Sequence, residues 1–188
     1  MSQQALLKRI VEALDDTGIP FMLTGSLASS LQGEPRSTHD IDLVVDISAG
    51  DVARVVRALS APDVYLDETA VGDATRRRTM FNLIASSSGD KADFWLLTDD
   101  AFDRERFARR LRVKALGLEV SVSAPEDTIL MKLRWSAQAG GSEKQLNDAL
   151  RVYEPQAGSL DEGYLDEWAA RLEVTAALTA IRESARAG

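Results

Sequence analysis

Apolar residues at Leu6, Leu7, Ile10, Val11 and Leu14 follow the i, i+3, i+4, i+7 spacing of a helix with one buried stripe, and Gly18 supplies its stop. A short apolar run over 20–24 then predicts a strand, Gly25-Ser26 a tight turn, and the small residues of 27–31 a short helix. Gly33 and Pro35 break the polar loop 32–39, after which the β-branched run 40–46 predicts a second strand. Ser48 is expected to cap a helix through residue 60, with Val52, Val55, Val56 and Leu59 on its buried side.

The middle of the chain reads as a short strand at 64–66, a charged helix ending at Arg76-Arg77-Arg78, and two β runs at 80–85 and 92–97 joined by a Ser/Gly-rich loop. A helix over 99–110 and two short strands around Gly117, at 113–115 and 118–122, complete this part. From Pro125 the period-2 signal stops. Pro125-Glu126-Asp127 suits a first helical turn, and helices are predicted at about 126–138, 143–153, 161–171 and 174–185. The expected organisation is an α/β domain over 1–122 followed by an α-helical bundle over 123–188, without internal repeats.

Composition narrows the chemistry. The chain of 188 residues has 45% hydrophobic positions, sufficient for a packed core. It has no Cys and one His, which excludes disulfides, thiol nucleophiles and two-histidine metal motifs. A net charge of -8 means that any nucleic-acid contact has to be local. Charges interrupt the N-terminal helix before it resembles a leader, and no run approaches the ~20 apolar residues of a membrane span. The expectation is a cytoplasmic protein that does not enter the membrane.

The informative constellation is Asp40-Ile41-Asp42. Strand geometry puts the two carboxylates on one face, about 6–7 Å apart, with Ile41 and Leu43 on the other. Such a pair needs a cation unless it lies at an exposed strand end, and hard oxygen donors suit magnesium or manganese better than zinc. Gly25-Ser26 precedes Asp40 by a short interval and sits where a strand turns into a helix, presenting backbone N–H groups and a hydroxyl to an anion. Asp93 lies in a later strand between Ala92 and Phe94, and joins the acid face if that strand neighbours 40–45.

Leu23-Thr24-Gly25-Ser26, thirteen intervening residues, Asp40-Ile41-Asp42-Leu43 and then Lys91-Ala92-Asp93-Phe94 together resemble the DNA polymerase β-type nucleotidyltransferase superfamily. The resemblance covers roughly residues 19–97 and implies the nucleotidyltransferase fold, a mixed β-sheet flanked by helices, here with a C-terminal α-helical bundle. The tail from Pro125 to Leu133, followed by Ser142 to Asp148, is similar to the AbiEii-like group, which includes toxins of toxin–antitoxin systems. In that group a Lys and an Asp on successive C-terminal helices belong to the active site, which here implies Lys132 and Asp148. Gln145-Leu146-Asn147 departs from the basic-acidic pair common before that Asp.

The resemblance implies transfer of a nucleoside monophosphate from an NTP to a hydroxyl, with Mg2+ or Mn2+ held by Asp40, Asp42 and Asp93. Gly25 and Ser26 would hold phosphates, with Arg36 or Lys132 as charge partners. The implied acceptor is tRNA or another RNA, in a toxin with an antitoxin protein partner. The alternatives are a small-molecule acceptor of the aminoglycoside type, a protein acceptor, or a non-catalytic nucleotide- or partner-binding module of the same fold.

Other motifs give less. No Gly precedes a Lys, which removes a Walker A loop, and no G-x-G-x-x-G or G-x-S-x-G occurs. His39, beside Asp40, reads as a solvated residue rather than a base. Arg76-Arg77-Arg78 reads either as cations at the negative end of a helix or as an acceptor- or nucleotide-binding surface. The stretch Arg104, Arg106, Arg109, Arg110, Arg112, Lys114 reads either as an RNA-backbone contact or as a solvated face. Lys132, between Ile129, Leu130 and Leu133, reads as an active-site group or a snorkelling lysine. Trp95, Trp135 and Trp168 are expected in the core or between domains.

Overall fold

The computed structural model describes residues 2–35 and 38–187. The chain forms two compact units, Met1–Leu27 with Thr38–Val122, and Ala28–Ser37 with Ser123–Gly188.

The first unit opens with helix α1 (Gln3–Asp16), whose buried stripe is Leu6, Leu7, Ile10, Val11 and Leu14. Strand β1 (Phe21–Thr24) runs directly into α2 (Gly25–Gln32), and the chain returns as β2 (Asp40–Val45). Then come α3 (Val52–Leu59), β3 (Val64–Tyr65), α4 (Glu68–Arg77), the hairpin β4 (Met80–Ala85) and β5 (Lys91–Leu96), α5 (Ala101–Ala108), β6 (Leu111–Ala115) and β7 (Leu118–Val122). All seven strands form one mixed sheet in the order β3-β4-β5-β2-β1-β7-β6. β2 is antiparallel to β1 and parallel to β5.

That register decides which side chains share a face. Ile41 lies beside Ala92 and Leu43 beside Phe94, all four essentially inaccessible. Phe94 stacks on Phe81 of β4 at 4.7 Å between ring centroids, and burying each such ring contributes about 1.5–3 kcal/mol. The alternate positions Asp40, Asp42 and Val44 on β2, and Lys91, Asp93 and Trp95 on β5, occupy the opposite face. There Val44 continues into a small apolar cluster with Met22, Leu97 and Phe107.

Helix α3 begins later than its sequence suggests. The Ser48 hydroxyl and amide both donate to Asp51 Oδ2, at 2.5 and 3.0 Å, and the Asp51 amide donates back to the Ser48 carbonyl. This closed turn occupies the residues expected to form the first helical turn, so Ser48 does not cap the helix.

The second unit is helical: α6 (Pro125–Gln138), α7 (Glu143–Gln156), α8 (Glu162–Arg171) and α9 (Thr175–Ala187). α6 packs on α7 and α8, and α9 on α7 and α8. α7 runs through Pro155 to Gln156, three residues beyond the end expected at 153. The C-terminal half of α2 groups with these helices. The Gln32 side-chain amide donates to the Ser123 carbonyl, and the Gln156 amide donates to the Gln32 carbonyl at 2.7 Å. A Cβ on Gly33 would lie 2.1 Å from the Arg151 carbonyl oxygen, so glycine is required by this close approach. No helix among the described residues is long and apolar enough to cross a membrane.

Candidate active site

The site is built where β1 ends. Thr24 pairs with Asp42, and the next residue, Gly25, turns the chain into α2 with φ +65°. A Cβ on Gly25 would sit 2.1 Å from Asp42 Oδ2 and 2.7 Å from its Cγ. Glycine therefore serves twice, adopting a left-handed conformation and leaving room for a carboxylate against the turn. Ser26 follows at the second position of α2, half-buried.

Asp42 lies directly beside Asp93 on the neighbouring parallel strand, with strands about 4.8 Å apart. Asp40 is one pleat away on the same face, opposite Lys91. The structure thus brings Gly25, Ser26, Asp40, Asp42 and Asp93 together in the first unit. Arg36 lies outside the described residues.

Asp93 is held at both oxygens. The Asn82 amide, from the directly paired position on β4, donates to Oδ1, and the Lys91 ammonium donates to Oδ2 at 2.9 Å. The hydrogen bond to Asp93, reinforced by the charges of Asp93, Asp40 and Asp42, holds the Lys91 ammonium above the usual lysine value against the opposing effect of burial. Lys91 and Asn82 were not singled out in the sequence. The signal for Lys91 was its i, i+2 relation to Asp93, whereas Asn82 became visible only with the register of the hairpin.

Among the described residues, no three acidic or imidazole groups are already gathered to hold a metal ion. The donor set nonetheless suits one. Three carboxylates share a face with the Lys91 ammonium, which contacts Asp93 and feels the charges of Asp40 and Asp42, and hard oxygen donors match Mg2+ or Mn2+.

In the second unit, Lys132 on α6 and Asp148 on α7 meet at 2.8 Å, with 2% and 4% of their side chains exposed. Lys132 is thus not a snorkelling lysine, and its ammonium also lies 5.6 Å from the centre of the Trp135 ring. Nearby on the same helix, Asp127 accepts a 2.6 Å bond from the Tyr164 hydroxyl.

The basic stretch is largely committed to partners within the first unit. Arg104 pairs with Asp99, Arg106 is buried against Asp103 at 2.9 Å, and Arg112 faces Asp15 at 3.4 Å. Arg110 lies over the Phe107 ring at 4.4 Å. His39 is exposed. Trp168 is buried and Trp135 half-buried, but Trp95 is 45% exposed. It does not belong to the core because period 2 places it on the acid face, away from Phe94 and Leu96.

Residues 6–93 match the family described as aminoglycoside-2''-adenylyltransferase, a span that takes in Gly25, Ser26 and all three acids. No curated protein sequence matches the chain. Among solved structures, the chain is similar to the antibiotic-resistance factor ANT(2'')-Ia in solution, at 16% identity and a TM-score of 0.56, over 99% of this chain and 98% of that one. It is also similar to ANT(2'')-Ia in complex with adenylyl-2''-tobramycin, at 15% identity and a TM-score of 0.59, over 91% and 97% of the two chains. An antigenic nucleotidyltransferase-like protein from Paracoccidioides brasiliensis matches at 17% identity and a TM-score of 0.57, over 96% and 91%. The chain has the nucleotidyltransferase fold.

Proposed function

We propose that the protein transfers a nucleoside monophosphate from an NTP to the hydroxyl of a small, positively charged acceptor of the aminoglycoside type. The observation that carries the reading is the placement of Asp42 beside Asp93, with Asp40 on the same face and the Gly25 turn against Asp42. Asp40, Asp42 and Asp93 would hold the divalent ion, which when bound supplies charge neutralisation for the triphosphate and its leaving group. Backbone donors at the Gly25–Ser26 turn and the Ser26 hydroxyl bind phosphate oxygens. The acceptor oxygen forms a bond to the α-phosphorus, the bond from that phosphorus to the β-phosphate oxygen breaks, and pyrophosphate leaves. Asp93 orients the hydroxyl and takes its proton.

Two findings support a small cationic acceptor. The family match is to aminoglycoside-2''-adenylyltransferase, and three arginines of the basic stretch, Arg104, Arg106 and Arg112, are engaged by Asp99, Asp103 and Asp15. With a net charge of -8, the protein attracts cations over anions. A second reading, the AbiEii-like toxin acting on tRNA and restrained by an antitoxin, is supported by the contact of Lys132 with Asp148, the pair which that resemblance assigns to the active site.

Calorimetry with ATP, GTP, CTP and UTP in the presence of Mn2+ tests the shared premise. Binding of at least one nucleotide, lost in Asp42→Asn, is expected. Absence of binding by all four would leave the non-catalytic module.

A further inference from the structure

The acid face has its own cation. Asp40, Asp42 and Asp93 project from one side of two paired strands, and Lys91 stands on that same side, opposite Asp40 and two residues from Asp93. Its ammonium contacts Asp93 Oδ2 at 2.9 Å, and the lysine side chain is 40% exposed whereas that of Asp93 is 12% exposed. Like charges on adjacent strand positions destabilise a sheet, so a cation at this point offsets the repulsion of three carboxylates. A lysine is suited to leaving again, because its charge sits on a flexible four-carbon stem. Asn82 holds the other oxygen of Asp93, so the carboxylate keeps its orientation when Oδ2 is released.

We propose that Lys91 is a tethered cation that holds the acid face together before loading, and that a divalent ion binds at Asp93 in exchange for the Lys91 ammonium. This inference rests on the reading of the three acids as an ion site. It assigns to Lys91 a positioning role: its charge weakens binding of the ion alone and so ties loading to arrival of the ion together with a nucleotide.

The test uses the full chain and Mn2+ alone, with free Mn2+ followed by electron paramagnetic resonance. Lys91→Met removes a unit positive charge a few ångströms from the ion, and is expected to tighten Mn2+ binding by roughly five- to a hundredfold. Lys91→Arg, which retains the charge, should stay within about twofold of wild type. Unchanged or weaker binding by a folded Lys91→Met protein would overturn the proposal. A measurement on the wild type covers the case in which that variant fails to fold. The hydrogen-bonded ammonium of Lys91, followed by nitrogen–proton NMR, should lose its contact with Asp93 as Mg2+ saturates, and its persistence at saturation would also overturn the proposal. If neither wild type nor Lys91→Met binds Mn2+, with or without ATP, the ion-site reading itself fails. Mn2+ binding to the wild type that does not respond to Lys91 defeats only the exchange.

Discussion

Lys132 and Asp148 meet at 2.8 Å inside the second unit, with 2% and 4% of their side chains exposed. On the acid face of the first unit, Lys91 is partly exposed and is influenced by Asp93, Asp40 and Asp42 together. Both regions join a lysine to a carboxylate at nearly the same distance, yet the first contact is buried and the second is partly open to solvent, on a face that carries three carboxylates. Each member of a buried pair depends on the other to limit the cost of its desolvation, whereas an accessible group of carboxylates gains from an added cation. The difference supports our proposal that metal and nucleotide bind at the β2–β5 face, and gives the Lys132–Asp148 contact a structural role whatever else it does.

Breaking the buried Lys132–Asp148 contact should have the largest effect on the fold. Lys132→Met leaves Asp148 buried without its ammonium and should cost about 3–5 kcal/mol of unfolding free energy, measured by urea denaturation. Adding Asp148→Leu should restore much of the loss, because two well-packed apolar groups replace the pair. Lys91→Met should change stability by no more than about 1 kcal/mol. Equal losses for the two lysine variants would abolish the contrast.

The acid face is expected to respond in binding rather than in stability. Asp42→Asn should weaken Mn2+-dependent nucleotide binding on the order of a hundredfold, since a carboxylate charge at contact distance is removed, while the melting temperature stays near that of the wild type. Asp93→Asn should reduce turnover more than nucleotide affinity, which single-turnover kinetics would separate from binding. Gly25→Ala should show both kinds of effect. It should lose about 1–2 kcal/mol of stability from a left-handed alanine, and nucleotide affinity should fall because its Cβ displaces Asp42.

The smallest effect is expected at the arginines. Arg106 is buried, so the informative variant is Arg109→Gln with Arg110→Gln. Binding of a small cationic acceptor should be unchanged in this variant. A flattening of the salt dependence of tRNA binding, by roughly 0.7 in log–log slope for each lost single-strand contact, would favour the RNA reading instead.

Much of this was legible in the sequence because it is local. Alternation in 40–45 and 80–96 gave the strands and their faces, and the spacing of Gly25-Ser26, Asp40, Asp42 and Asp93 gave the acid constellation. What escaped depends on partners distant in sequence or on competing local bonds. Asn82 meets Asp93 only through the hairpin register, and residues 28–35 join the helical unit through Gln32, Gly33 and Gln156. Ser48 has the residue type of a cap but is diverted by Asp51. Trp95 is expected in the core or between domains, although its position in the alternation puts it on the acid face.

The proposed reaction is monophosphate transfer at the acid face to a small cationic acceptor. Wild type and Asp42→Asn should be incubated with Mg2+ and each α-labelled NTP, against an aminoglycoside panel in one set and total tRNA in another. Label is expected on an aminoglycoside with one pyrophosphate released per transfer, and none with Asp42→Asn. Label in tRNA alone would contradict the acceptor assignment, and label in neither set from folded wild-type protein would contradict the assignment of such a transferase.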